Sequence, residues 1–117
     1  MNQKPIYVIV HGDAVTETGH PEGSALEDIG AEIQRIRREE DHKEIWGPPE
    51  DVPFSINPER PIRVCGAFYT GIPDLPLCVD KQLIALGERG FAAEVYQPAT
   101  AGYKLTAEVM LEKPENL

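Results

Sequence analysis

Hydrophobic residues in this chain fall into blocks of distinct period. Ile6 to Val10 (IYVIV) is an unbroken β-branched and aromatic run, the pattern of a strand covered on both faces. His11-Gly12-Asp13 ends it, and Thr16 to Gly23, with two glycines and Pro21, predicts a loop. Ser24-Ala25-Leu26-Glu27 reads as a capping box. Leu26, Ile29, Ile33 and Ile36 follow at spacings of three and four, which places them on one helical face. Arg35, Arg37, Arg38, Glu39 and Glu40 form its wet side and a charged tail that reaches His42.

From Gly47 to Pro61 there are five prolines, so this stretch is extended or turning rather than helical. Ile62 to Tyr69 (IRVCGAFY) predicts a second, central strand, and Thr70 to Asp74 a loop. A second helix is expected from about Leu75 to Glu88. Pro76 suits its first turn, Val79, Leu83 and Leu86 its buried stripe, and Gly90 its C-terminal cap. Phe91 to Tyr96 predicts a third strand and Gln97 to Gly102 a turn. Tyr103, Leu105, Ala107, Val109 and Leu111 alternate strictly, which predicts a half-exposed edge strand. The order β-α-β-α-β-β predicts an α/β fold: a three-layer sandwich, mostly parallel, with right-handed crossovers and an antiparallel edge.

Composition narrows the class. The 117 residues suit one small α/β domain spanning 1–117. Leu, Ile, Val and Phe supply 29 of them, which argues against disorder. No apolar run approaches the ~20 residues of a membrane span, and the N-terminal apolar stretch is too short for a signal-peptide core. Cys65 and Cys78 are the two cysteines, too few for a disulfide framework or a zinc knuckle, and a reducing cytoplasm is expected. The net charge of −9 disfavours nucleic acid and anionic membranes as partners. Twelve acids against four bases lie between Glu17 and Glu59, a solvated helix face with flanking loops or an acidic surface for a basic partner. The exposed alternation from Tyr103 to Leu111 offers an edge for pairing with a second copy.

Open α/β sheets bind ligands beyond the carboxyl ends of their strands. Those ends carry His11, Gly12 and Asp13 after the first strand, Tyr69 and Thr70 after the second, and Gln97 after the third. Gly71 and Asp74 follow in the adjoining loop, so Tyr69, Thr70, Gly71, Asp74 and Gln97 are the candidate ligand-binding residues for a small molecule. Cys78 sits in the first turn of the second helix, where free amides and Lys81 lower a thiol pKa and Asp74 and Asp80 oppose them. The bases available to a thiolate are His11 and Asp13. Cys65, inside a strand, is core. His11, Asp13 and His20 could form a two-His, one-carboxylate metal set, though loop spacing alone is a weak signal for one; no glycine-rich phosphate loop of recognised spacing occurs, and no cofactor or metal is expected.

The stretch Val64 to Gly102 (VCGAFYT…CVDKQLIALGERGFAAEVYQPATAG) resembles the carboxyl-terminal region of the isochorismatase and nicotinamidase cysteine-hydrolase family. There a strand ending in Gly-x-x-Thr is followed by Cys-Val opening a helix, a Gly-aromatic turn, another strand and an Ala-Thr-Ala-like end. Gly30-Ala31-Glu32-Ile33, Lys43 to Gly47 and Pro53-Phe54-Ser55 are looser echoes, so the resemblance spans about residues 26–102. It implies amide or vinyl-ether hydrolysis through an Asp-Lys-Cys triad, with the cysteine at Cys78. The place of the family's lysine holds Trp46, and Asp13 stands for the aspartate only by position in space. Gly71 to Leu77 is an insertion before Cys78, and His11-Gly12-Asp13 reverses the family's metal-binding Asp-x-His.

The expectation is therefore an isochorismatase-like protein that binds a small molecule or a protein without catalysis. The alternative is a cysteine hydrolase with Cys78 as nucleophile, Asp13 or His11 as base, and the backbone near Thr70 and Cys78 as anion donor. Gly66 to Asp74 (GAFYTGIPD) is also similar to the first loop of nucleoside deoxyribosyltransferase-like proteins, which implies nucleotide binding.

Overall fold

The structure is a computed structural model and describes residues 4–16, 25–46, 59–104 and 110–112. Its strands are β1 (Ile6–Val10), β2 (His42–Ile45), β3 (Ile62–Tyr69), β4 (Ala93–Lys104) and β5 (Met110–Glu112); its helices are α1 (Asp13–Thr16), α2 (Ala25–Glu39) and α3 (Cys78–Glu88). The sheet order is β2-β1-β3-β4-β5. β2, β1, β3 and β4 run parallel, and the three-residue β5 pairs antiparallel with the end of β4.

Two packed clusters make three layers. On one face α2 lays Ile29, Ile33 and Ile36 over Tyr7, Ile9, Cys65 and Ala67. On the other α3 lays Val79 and Leu86 over Val8, Val10, Ile62 and Val64. Residues 7 to 10 are all buried, which is why IYVIV has no polar alternation: its odd and even positions feed different layers. The α/β fold and its layering are as the sequence predicts. No helix among the described residues is long and apolar enough to cross a membrane.

Four segments differ from expectation. Asp13–Thr16 is a short helix, and His42–Ile45, read as a helix tail, is the parallel strand β2. Only Ile45 of β2 is buried, so HKEI has no apolar signature. Gln97 to Gly102 is not a turn but lies inside β4. The β3–β4 register jumps from Val64↔Val95 to Gly66↔Thr100, so β4 bulges at residues 96–99. The Thr100 hydroxyl closes the bulge by donating to the Tyr96 carbonyl at 2.6 Å, and Pro98, with no amide to offer, suits such a break. The alternating stretch from Tyr103 to Leu111 is likewise not one edge strand. Tyr103 and Lys104 end β4, Met110 and Leu111 belong to β5, and 105–109, like the Ser24 capping residue, His20 and most of the proline-rich stretch, lie outside the described residues.

Candidate functional site

The strand order reverses at β1, with β2 on one flank and β3 on the other, and this switch point is where open α/β sheets form a ligand crevice. Val10, the last residue of β1, pairs with Ile45 and Gly66. β3 runs on to Tyr69, opposite Gly102 of β4. β1 thus ends three residues before β3 does, a step, or notch, in the line of strand ends at His11. The chain turns there: the His11 amide donates to the Ile45 carbonyl at 3.1 Å, and the His11 carbonyl accepts the Ala14 amide at 3.0 Å.

Aromatic side chains flank this notch. The His11 ring meets Phe68 edge-on with centroids 5.6 Å apart, and Trp46 at 6.1 Å. Trp46 is 55 % exposed. His11 (φ +48°) and Phe68 (φ +74°) are the two non-glycine residues in the left-handed region among the described residues. Such a conformation costs on the order of 1–3 kcal/mol at each site and persists where surrounding structure enforces it, commonly at functional sites.

Asp13 opens α1 but faces α2. Its Oδ1 accepts from Arg37 Nη2 at 3.1 Å, and the same guanidinium pairs with both carboxylate oxygens of Glu44 on β2. A methyl group at Gly12 would lie 2.8 Å from Arg37 Nη2, so glycine lets the arginine reach under the strand end. Asp13 is thus paired with Arg37 on the α2 side of the sheet, away from Cys78.

Cys78 lies elsewhere, packed with Tyr69 and Leu83 against the α3-side cluster. Burial pushes its thiol above the ordinary value and Asp80 adds to this, against the pull of Lys81 and of its own helix-end amide. The loop before it is also closed to an incoming anion. The Asp80 carboxylate accepts the amides of Thr70 (2.9 Å), Gly71 (2.9 Å) and Leu77 (3.2 Å), the donors an oxyanion would need. The Thr70 side chain joins the same lock, donating to the Leu75 carbonyl at 2.8 Å and accepting the Ile72 amide at 3.1 Å.

The other expected residues part company. Gln97 is exposed on the β4 bulge rather than at a strand end. Asp74 is exposed in the loop. Tyr69 and Gly71 line an open apolar groove of about 280 Å³ on the α3 side, whereas Phe68, one residue earlier, packs toward α2. Sequence reasoning brought forward neither Trp46 nor Phe68 as site residues. Their one signal was that each stands at the end of a strand, and for Trp46 that strand itself was missed. Among the described residues no group of three or more His, Cys, Asp or Glu is arranged to hold a metal ion. Compared with protein-family models, with curated proteins and with solved structures, the chain matches none.

Proposed function

We propose that this protein is a non-catalytic small-molecule-binding α/β module, of the isochorismatase-like kind its sequence resembles, and that its ligand presents a flat ring to the notch above β1. The observation that carries the reading is the pairing of His11 and Phe68, both in a left-handed backbone, across the switch point beside an exposed Trp46. Aromatic side chains receive flat rings by offset or edge-to-face contact, and His11 adds nitrogen donors or acceptors for a polar ring edge. A cysteine hydrolase is disfavoured: the thiol is raised, Asp13 is held by Arg37, and the loop amides are taken by Asp80. The two free thiols suit a reducing cytoplasm.

Trp46 is the sole tryptophan, so its fluorescence is a direct probe. Titration with nicotinamide-type amides and with nucleobases and nucleosides, the ligands of the two resembled families, is expected to quench Trp46 for at least one class. Phe68→Ala is expected to weaken that binding about tenfold, or roughly 1.4 kcal/mol, without release of ammonia or free base. No quenching by any member, or ammonia release that is lost in Cys78→Ser, would overturn the reading.

A further inference from the structure

A left-handed His11 needs neighbours that enforce it, and those the structure supplies converge on one side chain. Arg37, on α2, lies behind the turn that carries His11. Its Nη2 stands 2.8 Å from where a methyl group on Gly12 would be, so the guanidinium packs against the residue that follows His11. The same nitrogen donates to Asp13 Oδ1 at 3.1 Å, one residue further on. On the other flank, Arg37 Nε donates to Glu44 Oε2 at 3.0 Å and Nη2 to Glu44 Oε1. Glu44 precedes Trp46 by two residues, and Ile45, between them, accepts the His11 amide at 3.1 Å.

One guanidinium therefore holds the chain just after His11 and just before Trp46, whose rings lie 6.1 Å apart. Apolar packing does not do the same. Val15 anchors α1 in the cluster under α2, and Ile45 anchors β2 in the cluster under α3, so it ties these two segments to different layers. The planar fork of an arginine can engage carboxylates on two elements at once, with fixed directions for each bond.

We infer that Arg37 is the positioning residue of the notch. Acting through Asp13 and Glu44 rather than by contact with the ligand, it sets the spacing of His11 and Trp46 and keeps the His11 ring turned toward Phe68. Its part in binding rests on the notch being the ligand site; its part in the ring geometry does not.

Proton NMR of the ligand-free chain reads that geometry, because the Trp46 and Phe68 rings displace the His11 ring resonances from their unfolded positions. Asp13→Asn removes the charge that ties α1 and leaves Arg37 on Glu44; Arg37→Met removes both links. Each is expected to move the His11 and Trp46 ring resonances toward unfolded values, Arg37→Met further, with those of Val79 and Leu86 in place. Asp13→Asn carries this arm alone if Arg37→Met does not fold. Arg35→Met is the control, since that guanidinium pairs with Glu32 and Glu39 of its own helix, and it is expected to leave both rings where they are. For a ligand that quenches Trp46, Arg37→Met is expected to weaken binding about tenfold and Asp13→Asn about threefold, each measured well below its melting temperature. A residue that served stability alone would lower the melting temperature and leave ring resonances and affinity of the folded chain unmoved; that result would overturn the assignment, as would equal ring shifts in Arg35→Met. Failure of every ligand to bind the unsubstituted chain would instead refute the notch as a binding site, with the ring resonances still deciding the role of Arg37.

Discussion

At Gly66 a single hydrogen atom separates a workable sheet from a collision. Its φ is +110°, and a methyl group there would lie 1.9 Å from the Val10 carbonyl oxygen and 2.7 Å from the Val10 amide nitrogen. Both are rigid backbone atoms of the neighbouring strand, so β1 and β3 would have to part, below the notch that His11 and Phe68 form. Gly66→Ala combines left-handed strain with overpacking and is expected to cost about 3 kcal/mol, read as a lower urea midpoint. Gly87, in the last turn of α3, meets nothing within 4 Å of the same added methyl. Gly87→Ala is expected to stabilise by about 0.5 kcal/mol through helix propensity. The two alanines of one chain thus move stability in opposite directions, and backbone placement decides the sign.

At the scale of elements, Arg37 ties together three pieces that the apolar clusters leave loosely joined. From α2 it reaches Glu44 on β2, Asp13 on α1 and the Thr16 hydroxyl at 3.4 Å, and its side chain is 19 % exposed. Both carboxylates hold its already strong base firmly protonated. Arg37→Met leaves two carboxylates facing each other without a cation and is expected to cost about 2 kcal/mol, between the values for exposed and buried pairs. Arg37→Lys is expected to recover little, because an ammonium cannot engage both Glu44 oxygens and Asp13 in the guanidinium's fork geometry. Amide hydrogen exchange checks this: the amides of residues 42–45 should lose protection before those of β3.

The same residues explain what the sequence made legible. IYVIV and IRVCGAFY announce strands because burial on both faces selects β-branched and aromatic side chains without a break. The stripe Leu26, Ile29, Ile33 and Ile36 announces α2 because one face alone is covered. HKEI hides β2, since its Glu44 is chosen for Arg37 and only Ile45 for the core. The β4 bulge was read as a turn because Gln97-Pro98 carries turn chemistry while the strand resumes beyond it. The notch was half visible. His11 stood out by type and place, but a left-handed φ at Phe68 leaves no mark on the sequence. The Asp80 lock was misread in kind: its acidity was weighed against the thiol, whereas its oxygens serve the backbone of Thr70, Gly71 and Leu77.

At the scale of the whole molecule, a central strand carries a thiol deep in the core. Cys65 on β3 is fully buried beneath α2, and burial pushes its thiol up to about 12, with smaller contributions from Glu32 and Glu44. An unfolded thiol ionises near ~8.5, so the folded state resists losing this proton. The stability this represents is complete below that value and drains away as pH rises toward 12. The expected slope is about 1.4 kcal/mol per pH unit from this group alone. Urea unfolding from neutral to alkaline pH, compared with Cys65→Ala, isolates it: the variant should start less stable but decline less steeply.

The place of β1 also has a consequence for the order in which the chain assembles. It precedes β2 and β3 along the chain and lies between them in the sheet, and its inner partner begins 56 residues later, as the Arg63–Tyr7 hydrogen bond measures. A ribosome therefore delivers the apolar run IYVIV well before anything exists to cover its second face, and closing that long loop precedes any reward from the pairing. The nearer pairings, β1 with β2 across α2 (Tyr7↔His42) and β3 with β4 across α3 (Ile62↔Ala93), close shorter loops of similar length and are set to form ahead of it. The seam between β1 and β3 then closes last, as the joint between two half-sheets. Until it does, the β3-facing edge of β1 waits unpaired, and the nascent chain is most exposed to aggregation or to chaperone capture during that interval.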